Sequence, residues 1–396
     1  MILGLVDQGL SSASNALVLV AFARSSGVEQ FGRLALIFLI LTTLLSLTRG
    51  FLGVHLVRLG GDHRRLVVEG RFAVATGILL GLTVSLVAIL VCYAIGAAPA
   101  VWVLALAPPF IIWQDVLRYY SVASGRAGSA VLSDGLWCVG SVAAVVLTAL
   151  STQVSPFHIS LLWVSSAAAA LLVLATTVPL PPRWRGLREW MADGRAERSS
   201  FGLEGVVSAL NSVAVLAVVT AILGLSATAA LRGAGTIIGP LSLLMSALPL
   251  VVIPELARGG AAHDGREAWR RLRWWGLSIS LLALSIGVIA LVLPSSVGTA
   301  LLGETWPYAQ RVLPLMALEY AALAWLHAAG AGFRLLGQGR RLLSIRVLAA
   351  VSALGAAGLL ALTGDVVFVA AGLALVAMGA AVVAVIVLRG VGPATN

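Results

Sequence analysis

Apolar residues do not alternate with polar ones anywhere along this chain; they run in blocks. Twelve blocks of about helix-spanning length fall near 3–23, 34–57, 72–95, 100–120, 129–150, 158–179, 201–223, 231–256, 274–294, 309–332, 342–363 and 366–388. A membrane-crossing helix needs roughly 20 apolar residues, and a barrel would need strands that alternate. Blocks of this kind predict an all-α integral membrane protein with about twelve transmembrane helices.

The breaks between blocks carry the orientation. Twenty of the arginines lie in the connections after the second, fourth, sixth, eighth and tenth blocks or at the block ends beside them, and the odd-numbered connections and their block ends carry only Arg24, Arg33, Arg232 and Arg311. The positive-inside rule then puts both termini in the cytoplasm. The first block has no basic leader before it and reads as a retained helix, not a cleaved signal. The opposite-side connections are short (96–100, 151–157), the longest being 295–309, so no outer domain is expected. The longest cytoplasmic connection, PPRWRGLREWMADGRAERSS at 181–200, sits at the midpoint. It divides the chain into an expected N-terminal six-helix lobe (1–180), a linker (181–200) and a C-terminal six-helix lobe (201–390).

The halves repeat weakly. DQGLSSASNALV (7–18) and LEGVVSALNSVA (203–214) align at an offset of 196, pairing Gln8 with Glu204, Ser12 with Ser208 and Asn15 with Asn211. After the second helix of each half comes RLGGDHRRL (58–66) or ARGGAAHDGREAWRRL (257–272). An even helix count per half makes the repeat parallel, the arrangement in which transporters place substrate between halves near the midplane.

Composition narrows the chemistry. Hydrophobic residues make up 60% and charged residues 11% of 396 residues, with net charge +10, and every one of the 26 basic residues is arginine. Without lysine there is no Walker A phosphate loop and no Schiff-base nucleophile. The histidines show no metal-ligand spacing, no nucleophile-elbow motif is present, and Cys92 and Cys138 lie in apolar blocks as small hydrophobes. Neither an enzyme, a metal, a cofactor nor a nucleic-acid partner is expected. The arginine-rich loops are explained by topology, with membrane lipid headgroups as their expected contacts.

Four stretches resemble one family. DQGLSSASNALVLVAFARSSGVEQFGRLAL (7–36), QDVLRYYSVASGRAGSAVLSDGLW (114–137), LRGAGTIIGPLSLLMSALPLVVIPELAR (231–258) and LLGETW (301–306), in that order and spacing, resemble the polysaccharide flippases, O-antigen-type and Wzx-like, of the multidrug/oligosaccharidyl-lipid/polysaccharide exporter superfamily. The resemblance implies two pseudo-symmetric six-helix lobes in a bacterial cytoplasmic membrane. It also implies alternating access driven by an ion gradient or membrane potential, and as cargo a polyprenyl (undecaprenyl) diphosphate-linked oligosaccharide for cell-surface polysaccharide. Polysaccharide polymerase and glycosyltransferases would be its partners. The related lipid II flippases line a cationic cavity from their first, second and eighth helices, and the matching positions here are Arg24, Arg49 and Arg232, the diphosphate ligands the resemblance implies. Those flippases have two further C-terminal helices, so their substrate is not carried over. A multidrug exporter of the same superfamily, a membrane enzyme and a scaffold of envelope-glycan assembly are the alternatives.

The polar residues inside the blocks have plainer readings too. Arg49 lies 15 residues beyond Leu34, roughly 22 Å along a helix, where it either snorkels toward the basic side or faces a wet cavity; intramembrane charges favour the second. Arg24 and Arg232, taken singly, are interfacial anchors. Asn15 and Asn211 either bond between helices or line a cavity. Glu204, like Asp7 and Asp134, reads as a charge in a first helical turn, and Asp115 with Arg118 as an i,i+3 pair at a helix end. Glu319 lies too deep for a cap, with His327 two turns on. It is either half of a neutral or hydrogen-bonded pair or a coupling carboxylate, and Glu204 and His327 join it as candidates for ion coupling.

Overall fold

The computed structural model describes residues 2–26, 28–151, 153–193, 195–258, 264–302 and 306–391. Helices joined by short turns and coil make up these residues, with no strand among them. The helices are α1 (Ile2–Ser25), α2 (Val28–Thr48), a π-turn (Arg49–Gly53), α3 (Val54–Arg58), α4 (His63–Ile95), α5 (Pro99–Ala105), α6 (Ala107–Ala123), α7 (Ala127–Leu150) and α8 (Pro156–Thr177). They continue with α9 (Leu187–Ala192), α10 (Arg195–Leu223), α11 (Leu225–Arg258), α12 (Gly265–Val292), α13 (Ser295–Leu302), α14 (Trp306–Leu335), α15 (Gly339–Ala361) and α16 (Val366–Arg389). Ten described helices, or eleven counting one bent pair, are long and apolar enough to cross a membrane. Helix α1 stands where the first span is expected. Gly27, 259–263 and 303–305, which belong to the quoted motifs, lie outside the described residues.

Two compact units divide the chain, Met1–Gly202 and Leu203–Asn396. In the first, α1 packs on α7, α4 on α6, and α7 on α8. Phe38 and Trp137 pack on Trp163, each with ring centres 5.4 Å apart, in a core where Trp163 is almost wholly buried. In the second unit α14 is the central post, touched by α11, α12 and α16. Large apolar side chains such as Leu90, Leu150, Leu172, Val292 and Leu375 are exposed on the outside, as a lipid-facing surface requires.

Several helices run past their apolar blocks. Helices α4 and α12 each begin nine residues before the expected span, and α10 begins six before. The extra turns are held by caps. Asp62 accepts from the Arg65 amide at 3.0 Å, and Asp264 accepts from the Arg266 amide at 2.9 Å, each satisfying an orphan donor of a first turn. These two aspartates come from the two loops that repeat in sequence, so the repeat extends to its caps.

The midpoint segment is built onto the first unit. Trp190 of α9 stacks on Phe72 with ring centres 5.5 Å apart and donates from Nε1 to Glu69 Oε2 at 2.5 Å. The same oxygen bonds His55 Nε2 at 2.8 Å. Arg198 lies 3.9 Å over the Trp190 ring and donates to the carbonyls of Trp190 and Asp193. Glycine permits a close approach beside it: a Cβ on Gly50, in the π-turn, would fall 2.2 Å from the Phe201 carbonyl oxygen. Helix α11 holds Pro240, Pro249 and Pro254, and its segments 226–235 and 237–246 meet at 45°. Proline at 240 removes the bond to the carbonyl of residue 236 and crowds it, where the bend lies.

Candidate functional site

Each unit carries a buried charge cluster on corresponding helices. In the first unit the centre is Arg118, near the end of α6 and fully buried. It donates to Asp7 at 2.7 Å and to Gln8 Oε1 at 3.1 Å, both on α1, and stands 3.1 Å from Asp134 of α7 and 3.4 Å from Asp115. Arg49 grips Asp115 from the other side, Nε at 3.0 Å from both carboxylate oxygens and Nη2 at 2.8 Å from one. Gln114 donates to Asp134 at 2.7 Å. Three carboxylates therefore face two guanidinium groups.

The second unit repeats the theme with the balance reversed. Glu204, buried in α10, takes Arg334 of α14 on one oxygen and Arg346 of α15, at 3.0 Å, on the other. Here two guanidinium groups face one carboxylate. Gln8 and Glu204, aligned at offset 196, each accept from an arginine near the end of the fourth long helix of their unit, Arg118 or Arg334. Pairing of this sort is how charges survive in apolar surroundings.

These positions correct three expectations. Glu204 is not in a first turn, because α10 starts at Arg195; Asp7 and Asp134 likewise lie inside α1 and α7. All three serve ion pairs across helices rather than a helix dipole. The Asp115–Arg118 pair is real but is a fragment of a four-helix network, not an isolated contact on one helix.

The remaining candidates separate by place. Beside the Glu204 cluster, within the second unit, a cavity of about 530 Å³ opens between α10, α11, α14, α15 and α16. Arg232, Arg346, Asn211, Glu319, Tyr320 and His327 are among its lining residues. Asn211 Oδ1 is buried there and accepts no hydrogen bond from the described residues. Glu319 is half-buried with no ion pair among the described residues, and His327 bonds the Leu323 carbonyl of its own helix at 2.8 Å rather than Glu319. In the first unit, Asn15 is half-buried on α1 and Arg24 is exposed in that helix's last turn. Arg24 is 17 residues from Asp7, about 26 Å along the helix axis, so α1 holds it far from the cluster that binds Arg49. The snorkelling question at Arg49 resolves into a half-buried ion pair with Asp115, made where the helix loosens into a π-turn. A π-turn often marks a functional position.

Sequence reasoning passed over Arg118, Asp115 and Asp134 as a group, and Arg334 with Arg346. The signal was present as parity: an acid on the first long helix of each half and an arginine at the end of the fourth.

No protein-family profile matches the sequence, and no curated protein does. Solved structures do match. A MATE transporter crystallised in the bent conformation superposes with a TM-score of 0.77 at 16% identity, over 98% of this chain and 93% of that one. A MOP superfamily transporter from Pyrococcus furiosus, described as having a binding pocket of reverse polarity that suggests a different function, gives 0.74 at 16% over the same shares. An outward-facing multidrug resistance MATE family transporter of the MOP superfamily gives 0.74 at 17%, again over 98% and 93%. The chain has the two-lobed, all-helical fold of MATE transporters.

Proposed function

We propose that this chain is a multi-pass membrane transporter working by alternating access, and that its cargo is a polyprenyl-diphosphate-linked oligosaccharide flipped from the inner to the outer leaflet. The fold supports the first part. The observation that carries the second is the charge of the second unit's cavity: Arg232 and Arg346 line it, and Arg334 shares with Arg346 the single carboxylate of Glu204. Forked guanidinium groups suit the oxygens of a diphosphate, and a cavity with surplus positive charge attracts an anionic headgroup. Arg49 and Arg24 of the first unit are proposed to meet the diphosphate at separate points of its path, with Asn15 and Asn211 as polar lining. Glu319, facing the same cavity, is the proposed coupling carboxylate, with His327 and Glu204 beside it. Such a carboxylate shifts the state equilibrium only if its partner binds the two states differently. The proposed setting is a bacterial plasma membrane with both termini in the cytoplasm, among glycosyltransferases and a polymerase.

A second reading, a multidrug exporter, is favoured by one observation: Glu319 puts a carboxylate in the cavity, where a cationic drug would seat. The two are separated in a strain lacking the protein, by extracting lipids and asking whether a prenyl-diphosphate oligosaccharide accumulates. Complementation with wild type, Arg232→Ala and Arg49→Ala at matched levels follows. Accumulation relieved by wild type and by neither variant is the expected result. No accumulation, with altered sensitivity to cationic drugs, would select the exporter.

A further inference from the structure

A second cavity lies in the first unit, at the end of α6 just past Arg118, on the side of the arginine-rich loops. It holds about 310 Å³, the low end of ordinary ligand pockets. Three of its lining residues, His63, Val67 and Arg71, recur every fourth position on α4 and so share one helical face. Opposite them stand Tyr120, Ser124 and Arg126, at the end of α6 and the start of α7. The coil after α8, from Val178 to Pro181, supplies an apolar wall.

Both arginines are anchored before any ligand arrives, Arg71 by its side chain and the exposed Arg126 by its backbone. Arg71 donates from Nε to the Pro181 carbonyl at 3.2 Å, while its own carbonyl accepts from the Arg183 amide at 3.0 Å. Arg126 is pinned through its backbone: its amide donates to the Ser121 carbonyl at 2.8 Å and its carbonyl accepts from Ser121 Oγ at 2.6 Å. Gly70 lets α4 close on the site, since a Cβ there would meet Tyr120 at 2.8 Å and Leu180 at 2.9 Å. No lining residue carries a carboxylate, and neither guanidinium forms an ion pair among the described residues. Elsewhere this unit meets its arginines with acids at Arg49 and Arg118 and with backbone carbonyls at the buried Arg198. Here it supplies two arginines, a histidine and a tyrosine hydroxyl and leaves the counter-charge to come from outside.

We propose that this cavity is an anion site for a phosphate group, held between Arg71 and Arg126 with the Tyr120 hydroxyl as a further donor. It is distinct from the cargo cavity of the second unit. Basic recesses between helices on this side of a membrane suit anionic lipid headgroups, and a soluble phosphate offers the same oxygens.

The test uses the purified full-length chain, stripped of lipid in detergent. It is titrated with phosphatidylglycerol, phosphatidylcholine and inorganic phosphate, and bound ligand is counted by native mass spectrometry. One phosphatidylglycerol is expected to be retained where phosphatidylcholine is not. Its affinity should fall at least about tenfold for each arginine removed in Arg71→Gln and Arg126→Gln. Arg64→Gln, an exposed arginine outside the cavity, should leave it unchanged. The charge-keeping pair Arg71→Lys with Arg126→Lys should retain most of the binding, which guards against misfolding of the glutamine variants. Saturation by inorganic phosphate without any lipid preference would assign the same site to a soluble phosphate. Equal retention in the glutamine variants, an equal loss in Arg64→Gln, or no binding of either phosphate source would overturn the proposal.

Discussion

Consider replacing Glu204 by glutamine. The side chain keeps its shape and one acceptor oxygen, and loses the one carboxylate that faces Arg334 and Arg346 among the described residues. All three groups are nearly out of reach of water: their side chains are 2%, 11% and 9% exposed, so solvent screening relieves little. Breaking a buried pair by removing one partner costs about 3–5 kcal/mol. A retained neutral hydrogen bond returns about 1 kcal/mol, leaving a loss of about 2–4 kcal/mol. Arg346→Met is the instructive contrast. It removes the surplus cation and leaves Glu204 and Arg334 as a balanced pair, so it should cost clearly less than Glu204→Gln. The double variant should be less damaged than the two single losses added together, with a coupling of about 0.5–3 kcal/mol. Unfolding in mixed micelles by increasing mole fraction of dodecyl sulfate measures all three. A loss below about 1 kcal/mol for Glu204→Gln, or equal losses for Glu204→Gln and Arg346→Met, would refute the claim that the carboxylate holds two arginines.

Three further outcomes are expected. Arg118→Met strands Asp7 and Asp134 in the first unit's core, while Asp115 keeps Arg49, and should lose about 3–5 kcal/mol, whereas Asp134→Asn brings the charges to parity and should lose much less; the same micelle titration compares them. Gly50→Ala drives a methyl into the backbone at Phe201 and should cost about 1–3 kcal/mol. Gly9→Ala, with nothing within 4 Å, should change stability by no more than about 0.5 kcal/mol, as thermal unfolding in detergent will show. Trp190→Ala removes the ring that pins the midpoint segment, worth about 3 kcal/mol. Trypsin cleavage at Arg183, Arg185 and Arg188 should accelerate about a hundredfold where opening is at equilibrium.

Much of the architecture was legible because the bilayer imposes one rule on sequence: apolar blocks of a set length. The same rule hides what the bilayer does not constrain. The nine extra residues at the starts of α4 and α12 are polar and amphipathic, so hydropathy ends the span where the lipid ends and not where the helix does. Segment 181–200 reads as a linker by composition, yet Trp190, Glu69 and Arg198 bind it into the first unit through contacts that span up to 121 positions. For the candidate site, Arg49 announced itself as a charge in a greasy helix, but its partner Asp115 lies 66 positions on and no local pattern links them. Gln8 and Glu204 were visible as a repeat before their shared role was, since the arginines they hold come from fourth helices that align poorly. Asn211, Arg232, Glu319 and His327 share a cavity through the way α10, α11 and α14 pack, which periodicity alone does not specify.

The ion pairs also set a schedule for synthesis. Asp7 is made 111 positions before Arg118, and Glu204 130 positions before Arg334. At about 5–20 residues per second, each acid waits roughly 6–26 s for its arginine. During that interval α1 and α10 are helices carrying an uncompensated charge, which apolar lipid tolerates poorly. Each therefore has to be kept near water, or beside the insertion machinery, until its fourth helix emerges. The pairing that stabilises the finished protein thereby makes a late helix the licence for an early one to settle, and chains that stall before Arg118 or Arg334 carry their defect in a segment already made.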